Sequence, residues 1–377
     1  MIDAPALPPR LSVETTLSPP ALVAPAPSEV SFGRVAGTAP PGTRRVIVRV
    51  DERVLADRPL RGRRFALQVE LPPRELALRV TVVDAAGRRA SSLVDSVRGL
   101  PRIAAPRAVA ARLDTALARD VRELAAGFPG TSAVYVQDLR DGRGAAWNAA
   151  ARFPAASTLK LAIAMTVLAR HDGKPQPGSQ LDRLLHAMLV QSDNASANEL
   201  EVWLGGSTGA GSAQVNETMW ALGLSNSLMY GGYEPTPLRR LAAASPIPIR
   251  VESQPSFGAG KYTSAADLAR LLHAVYLAAG GLGPLLELGV SPSEARHLLW
   301  VLAKVSDRGK LGRFLVGPVT LLHKAGWLES ARHDNGIVFW QGGVFVATVM
   351  TWRPSGVGSS ADLLAGRVAE AALRRFR

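Results

Sequence analysis

The spacing of hydrophobic positions divides the 377-residue chain into two parts. Between about Glu29 and Leu100, apolar and polar residues alternate in short runs, as in Phe65–Leu71. Alternation of this kind is typical of half-buried strands. Pro-Gly, Pro-Pro and Ala-Gly turn signals separate the runs. Several short strands in so small a segment predict a β-sandwich of immunoglobulin-like character over residues 28–100.

Beyond this segment the period becomes helical. Apolar residues between Ala108 and Phe128 recur at the spacing of one helix face. Further predicted elements are strands at 132–139 and 145–148, helices through 157–277, strands at 319–323, 336–340 and 344–352, and a last helix at 360–376. This order predicts one antiparallel sheet in which the first and last strands of the second part pair, with the terminal helix packed on it.

These patterns give four segments. Residues 1–27 are rich in proline and are predicted to be a disordered tail. The small β-domain occupies 28–100, residues 101–106 form a linker, and the second domain covers 107–377.

Composition narrows the function classes. The net charge is +13, but only six of the 44 basic residues are lysines, as in chains from GC-rich genomes. No pattern typical of nucleic-acid binding is present. The chain has no cysteine, its six histidines are scattered, and no HExxH motif occurs, so neither a metal nor another cofactor is predicted.

The segment 28–105 is the most arginine-rich part, with fifteen arginines against eight acidic residues. Two interpretations stay open: solvated strand faces, or a docking patch for an anionic cell-wall polymer.

The first 30 residues contain one basic residue, Arg10, and no uninterrupted apolar stretch. No secretory signal peptide is therefore predicted. The apolar run Leu161–Ala169 is far shorter than the ~20 residues of a membrane span. Either the export signal is not part of this sequence, or the protein is cytoplasmic.

A serine and a lysine three residues apart open an apolar helix, in Ser157-Thr158-Leu159-Lys160. Residues at this spacing share a helix face, and the helix N-terminus favours developing negative charge. A serine hydroxyl needs a nearby base to act as a nucleophile, and a partly desolvated lysine has a lowered pKa. By itself this spacing also fits a helix cap beside a surface lysine.

Two further motifs follow along the chain. Ser192-Asp193-Asn194 offers a hydroxyl and an amide on one loop, although the same residues cap helices well. His323–Trp327 ends an apolar run with a lysine that can attract a carboxylate. Within it, Gly326 permits a close backbone approach, and His323 is interpreted as an ordinary strand residue.

Together the three motifs, S-x-x-K, S-D-N and K-x-G in that order, resemble those of class A β-lactamases and penicillin-binding proteins. The resemblance covers about residues 107–377 and extends to Phe153–Gly173 and His333–Val338. It implies an α/β fold in which an antiparallel sheet is flanked by terminal helices, with an all-helical half beside it and the active site between them. It also implies an extracytoplasmic location, and we expect a monomer.

The resemblance assigns a role to each motif residue. Ser157 attacks the substrate carbonyl, Lys160 accepts its proton and Ser192 protonates the leaving nitrogen. The residues implied in substrate binding are Asn194, Lys324, Ala325, Gly326 and Trp327, with the backbone amides of Ser157 and Trp327 as the oxyanion hole.

Two departures from the family pattern bear on function. The best candidate for the base that activates the deacylating water is Glu234, in Tyr233-Glu234-Pro235, but the asparagine expected four residues later is Leu238. Ala325 stands where a threonine or serine is usual, which removes a hydrogen bond worth roughly 1.5–3 kcal/mol.

Three functions remain open from the sequence. The first is a β-lactamase that hydrolyses β-lactam amides. The second is a housekeeping hydrolase of a cell-wall peptide or ester, which β-lactams acylate without turnover. The third is a non-catalytic module that binds a cell-wall ligand.

Overall fold

The computed structural model describes residues 16–229 and 245–377. Eight strands make up the N-terminal part. They are β1 (Ala21–Ala24), β2 (Glu29–Ser31), β3 (Arg34–Thr38), β4 (Thr43–Val50), β5 (Arg53–Pro59), β6 (Arg64–Gln68), β7 (Glu75–Asp84) and β8 (Arg89–Gly99).

The eight strands form two sheets, one of three strands in the order β1-β3-β6 and one of five in the order β2-β8-β7-β4-β5. Strand β2 runs parallel to β8, whereas the other pairs are antiparallel. Val35 and Phe65 of the smaller sheet share one apolar core with Val48 and Val80 of the larger one. The alternation in the sequence is thus explained by two sheets that pack face to face, while their immunoglobulin-like character stays a prediction.

The start of this part differs from the prediction. A disordered tail over residues 1–27 is wrong for Ala21–Ala24, because β1 pairs antiparallel with β3. The prolines around β1 hide a strand that lies at the edge of its sheet, where a missing amide donor is tolerated. Residues 1–15 lie outside the described residues.

Residues 101–106, predicted as a linker, contain a short 3-10 helix at Arg102–Ala104. Ala104 is fully buried, and the Tyr276 hydroxyl donates a hydrogen bond of 3.0 Å to its carbonyl. The segment therefore packs against the second part of the molecule.

The second part alternates strands and helices. Its elements are β9 (Arg112–Leu113), α1 (Thr115–Ala126), β10 (Thr131–Asp138), β11 (Arg143–Trp147), β12 (Phe153–Pro154), α2 (Lys160–Leu168), α3 (Gln180–Val190), α4 (Asn194–Gly205), α5 (Thr208–Ala221), β13 (Tyr262–Thr263), α6 (Ala265–Ala279), α7 (Pro292–Leu302), β14 (Thr320–Leu328), β15 (Ala331–Trp340), β16 (Gly343–Trp352) and α8 (Gly358–Phe376).

Six of these strands form a sheet in the order β14-β15-β16-β10-β11-β9. The predicted pairing of the first and last long strands is confirmed, since β10 and β16 pair antiparallel over eight residues. Helices α1 and α8 share an apolar core with one face of the sheet, through residues such as Leu117 and Val368. The other face belongs to a larger core that also contains α2 and α6.

Local signals set the ends of several helices. The first helix was expected from Ala108, but α1 begins at Thr115 because the Asp114 side chain accepts a hydrogen bond from the Leu117 amide. A capping box of Ser291 and Glu294 starts α7. These caps fix where α1 and α7 meet the sheet and the N-terminal part.

The N-terminal sheets contact the second part through a buried carboxylate. Glu29 on β2 is 1% exposed. It accepts hydrogen bonds from Arg296 Nε at 2.7 Å, from Lys174 Nζ at 3.2 Å and from the Ser293 hydroxyl. These four residues form the Glu29 cluster. The buried negative charge is thus paired with two cations, which keep some solvent contact, and with a neutral donor, as the burial of a charge requires.

Within residues 16–229 and 245–377, no helix is long and apolar enough to cross a membrane. Nor does this part of the chain contain a group of three or more His, Asp or Glu residues arranged to hold a metal ion.

Candidate active site

Ser157 lies in a tight turn between β12 and α2, one turn before the helix proper begins. The residue before it, Ala156, has a φ of +49°, a left-handed conformation that costs a non-glycine residue roughly 1–2 kcal/mol. The Ala155 carbonyl offsets this cost by accepting hydrogen bonds from the Thr158 amide and hydroxyl, at 3.1 and 2.6 Å. The turn therefore holds the serine at a fixed, half-buried position.

The flanks of this turn are anchored by two other segments. His333 on β15 contacts the Pro154 carbonyl through Nε2 at 2.7 Å. Burial lowers the pKa of His333 to about 4, so the ring is neutral at physiological pH and donates from that nitrogen. On the other side, the Ala155 amide donates to the Lys261 carbonyl at 2.9 Å.

Strand β14 approaches the same turn closely. A Cβ built on Gly326 would lie 3.0 Å from the Ser157 amide nitrogen, the Ala156 Cβ and the Thr158 Cγ2. Only a residue without a side chain fits there unstrained. The glycine of the third motif thus brings the strand that carries Trp327 against the serine amide.

Lys160, at the start of α2, is 7% exposed. Its ammonium donates to the Asn194 amide oxygen at 2.7 Å and to the Ser192 carbonyl. Burial lowers the pKa of Lys160 to about 8; Asp193 raises it, and the charge of Lys261 lowers it further. A lysine in this range exchanges its proton readily near neutral pH.

The Ser192-Asp193-Asn194 loop precedes α4. Ser192 has a φ of +61°, and the Asp193 side chain caps the helix by accepting from the Ser196 amide at 2.6 Å. The capping role considered for this tripeptide thus belongs to Asp193. Ser192 and Asn194 remain free to face Lys160.

Lys324 on β14 completes the group. Its ammonium donates to the Ser192 hydroxyl at 2.9 Å and to the Ala325 carbonyl at 2.8 Å. Burial, and then the charge of Lys160, lower the pKa of Lys324 to about 8. The three motifs, which are more than 30 residues apart along the chain, therefore share one set of contacts.

Ser157, Lys160, Asn194 and Trp327 border a cleft of about 400 Å³. Its described lining also includes residues of α2 and α4 and the lysine that directly precedes β13. The lining residues are Ala156, Ser157, Leu159, Lys160, Ile163, Asn194, Ala197, Asn198, Met229, Lys261, Trp327 and Leu328. Trp327 is 61% exposed at the rim. None of the described lining residues is acidic, and Lys160 and Lys261 are basic.

Glu234, the predicted deacylating base, lies outside the described residues, and so does Tyr233-Glu234-Pro235 as a whole. Its role stays a prediction. His323 is 1% exposed and contacts the Asp334 carboxylate through Nδ1 at 2.8 Å, away from the serine turn.

Sequence reasoning missed Lys261 and Glu201 in this site. Glu201 on α4 is 2% exposed, accepts from the Ser212 hydroxyl at 3.0 Å and lies 3.9 Å from the Lys261 ammonium. Neither residue belongs to a motif. The signal for Glu201 is a charge on a helix face that is otherwise buried. The signal for Lys261 is that the chain contains only six lysines.

The fold and these contacts together define a serine hydrolase of the β-lactamase and penicillin-binding superfamily. The profile of the Beta-lactamase enzyme family matches residues 116–177 and 173–376, which is more than half of the chain. The chain belongs to that family.

Several solved structures are similar over the same region. PBP-A has a TM-score of 0.53 and 23% identity, covering 71% of this chain and 98% of its own. A β-lactamase from Sphaerobacter thermophilus has a TM-score of 0.52 and 19% identity, covering 70% and 97%. An ancestral class A β-lactamase has a TM-score of 0.51 and 22% identity, covering 69% and 100%. At such identities the similarity shows the fold alone, and no curated protein matches the chain.

Proposed function

We propose that this protein is a class A-like serine β-lactamase that hydrolyses β-lactam amides through an acyl-enzyme on Ser157. One observation carries the proposal: the ammonium groups of Lys160 and Lys324 both contact the 192–194 loop, beside the serine turn. The proposed base and proton relay are thus joined through one loop, and Ser157 lines the same cleft as Lys160 and Asn194, which is the kind of grouping that acyl transfer requires. A variant of PBP-A has been captured as an acyl-enzyme complex with penicillin G.

Acylation follows from these contacts. Neutral Lys160 removes the Ser157 hydroxyl proton as the oxygen bonds to the β-lactam carbonyl carbon. The amides of Ser157 and Trp327 stabilise the resulting oxyanion. The C–N bond then breaks, and the leaving nitrogen takes the proton of the Ser192 hydroxyl, which the Lys324 ammonium polarises and Lys160 reprotonates.

Deacylation needs a second base. We assign it to Glu234, which accepts a proton from a water that attacks the acyl carbonyl carbon. The bond to the Ser157 oxygen breaks, and that oxygen takes the proton from Glu234, which returns to its carboxylate form as the carboxylic acid product leaves. This assignment rests on the aromatic-Glu-Pro sequence alone.

Turnover of a chromogenic cephalosporin tests the proposal. We expect hydrolysis that falls below detection in Ser157→Ala, because the nucleophile is lost. Ser359→Ala, which removes an exposed serine on α8, is the matched control and should keep full activity. Absence of turnover by the folded wild-type protein would contradict the proposal.

A second candidate is a housekeeping hydrolase of a cell-wall peptide or ester. Ala325 supports it, because it lacks the hydroxyl that helps bind a β-lactam carboxylate. Intact-protein mass spectrometry after penicillin treatment separates the two functions. A stable adduct on Ser157 without turnover favours the housekeeping enzyme, whereas an adduct that disappears as penicillin is consumed favours the β-lactamase.

For residues 28–105 we propose an immunoglobulin-like unit that binds an anionic wall polymer outside the cytoplasm, on a monomeric protein. Arg49 and Arg79 support this because they lie directly opposite each other on β4 and β7, an unfavourable pairing of like charges. Arg49 Nε is buried, without a hydrogen-bond partner among the described residues. Cosedimentation with polyphosphate should weaken in Arg49→Gln/Arg79→Gln and not in Arg122→Gln, an exposed arginine on α1; equal binding would exclude this surface.

A further inference from the structure

The catalytic cleft holds one cation more than the proposed reaction uses. Lys160 has the role of base, and Lys324 that of the carboxylate contact. Lys261 lines the same cleft, and its charge is close enough to lower the pKa of Lys160. Lys160 is thus close to two other cations, Lys261 and Lys324. Like charges repel one another, so an arrangement that keeps all three lysines needs a reason.

The position of Lys261 is fixed by its backbone. It precedes β13, which pairs antiparallel with β12 just before the serine turn. Its carbonyl accepts the Ala155 amide at 2.9 Å. The Lys261 backbone is therefore held beside Ala155, two residues before the proposed nucleophile in the chain.

The ammonium of Lys261 is held but not fully used. It lies 3.9 Å from the Glu201 carboxylate, which is 2% exposed, while the Lys261 side chain is 38% exposed. Among the described residues this ammonium makes no hydrogen bond shorter than that ion-pair distance, so its N–H groups remain available to a ligand. Glu201 thus orients the lysine toward the cleft and satisfies only part of its charge.

Lys261 and Lys324 occupy different places. Lys324 contacts Ser192, the residue proposed to protonate the leaving nitrogen, and neither of these two residues is part of the described cleft lining. Lys261 does line the cleft, together with Asn198 and Met229. An anion at Lys261 therefore belongs to the acyl part of the substrate.

We infer that Lys261 is a specificity-determining residue that binds a carboxylate on the acyl group of the substrate. This inference rests on the proposed function, because it assumes that Ser157 is the nucleophile. The preferred substrates are then acyl donors that carry a carboxylate on the acyl group. This carboxylate would pair with Lys261, in addition to the substrate carboxylate that Lys324 binds.

A matched pair of boronic acids tests the inference without assuming that β-lactams are substrates. Boronates add reversibly to an activated serine: the serine oxygen bonds to boron as its proton leaves, and a tetrahedral anion forms. The two probes are acylaminomethylboronic acids with a phenylacetyl and an α-carboxyphenylacetyl group. Their dissociation constants are measured with the full chain by titration calorimetry.

We expect the wild-type protein to bind the carboxylated probe about tenfold more tightly. Lys261→Met should remove the preference and Lys261→Arg should retain it. Glu201→Gln should increase it, because the ammonium loses its competing carboxylate. Arg122→Gln, which removes the same charge from the opposite side of the sheet, should leave the ratio unchanged.

Three results would overturn the inference: equal affinity of the wild-type protein for both probes, a preference that survives in Lys261→Met, or no boronate binding at all. If Lys261→Met lowers thermal stability but leaves the ratio of the two dissociation constants unchanged, Lys261 only neutralises Glu201, and the inference is overturned.

Mass spectrometry with penicillin is run in parallel. No penicillin adduct on Ser157, together with a boronate preference that depends on Lys261, contradicts the proposed function and leaves this inference standing.

Discussion

The Glu29 cluster and the lysines of the cleft both take charges out of water. In the Glu29 cluster one carboxylate meets Lys174 and Arg296 and is almost fully enclosed by its partners. In the cleft, Lys160 and Lys324 are nearly as buried, yet they contact neutral oxygens and face each other. Because an unpaired buried charge is costly, the molecule pairs its buried charge with opposite charges where the two parts join and leaves buried cations without such a partner in the described part of the proposed catalytic site.

The largest effect is expected from replacing Lys160 in the cleft, which should slow acylation without lowering stability. Lys160→Met removes the base while keeping most of the side-chain volume. We expect Ser157 acylation to slow by about 10³-fold, whereas thermal stability stays equal or rises because a desolvated ammonium is gone. Labelling with a fluorescent penicillin and thermal unfolding measure the two quantities. A decrease in acylation below tenfold would show that Lys160 is not the base.

At the Glu29 cluster we expect a loss of stability without a loss of acylation. Glu29→Gln leaves two cations without their carboxylate, at a cost of about 2–3 kcal/mol in the free energy of unfolding, because both cations keep some solvent contact. Urea unfolding measures this change, and acylation by the folded protein should be unaffected. Glu70→Gln, which changes a carboxylate that is 62% exposed and 3.9 Å from Arg102, should cost less than about 0.5 kcal/mol. A similar decrease in the free energy of unfolding in both variants would show that Glu29 contributes no more than an exposed ion pair.

A smaller effect is expected from the close approach of β14. The Cβ of Gly326→Ala would force the strand or the serine turn to move by a few tenths of an ångström. Since catalysis depends on such positions, acylation should fall about tenfold with little loss of stability. Gly62→Ala, where the new Cβ meets no atom within 4 Å, provides the control. Unchanged acylation in Gly326→Ala would show that the oxyanion hole tolerates this shift.

The smallest effect is the pH dependence of stability. The pKa values of Lys160 and Lys324 are lowered to about 8 in the folded protein, from 10.5. Between these pH values the unfolded chain binds more protons than the folded one, so the free energy of unfolding should rise with pH from about 8 to 10. Urea titrations at several pH values measure the slope, and Lys160→Met should reduce it. Acylation should be fastest near pH 8 and fall on either side, because the reaction needs a neutral Lys160 and a protonated Lys324, whose pKa values both lie near 8. A flat stability profile would mean that the lysines are solvated.

Much of the hydrolase part could be predicted from the sequence because its signals are local. The period of two identifies β10, β15 and β16, and the order of the three motifs predicts Ser157 and Lys160 as site residues. The boundaries were less accurate: α1 begins seven residues after the predicted start, where Asp114 rather than hydrophobic spacing decides.

The remainder depends on contacts between distant positions. Glu29 meets Arg296 across 267 residues, and no local pattern distinguishes it from an exposed strand carboxylate. Lys261 approaches the serine turn only because β12 and β13 pair. The edge strand β1 is hidden by its prolines. Such features follow from tertiary packing, which a single sequence does not display.

The 3-10 turn at Arg102–Ala104, in which Ala104 is fully buried, has a consequence for how the protein can be divided. Val30, Leu100 and Ala104 belong to the same apolar core as the helices of the hydrolase. A chain that begins at residue 107 would expose this shared apolar core and lose the ion pairs of Glu29. The sheets and the hydrolase are therefore expected to melt together in one calorimetric peak, and a shortened gene that encodes only residues 107–377 is expected to yield a poorly soluble product.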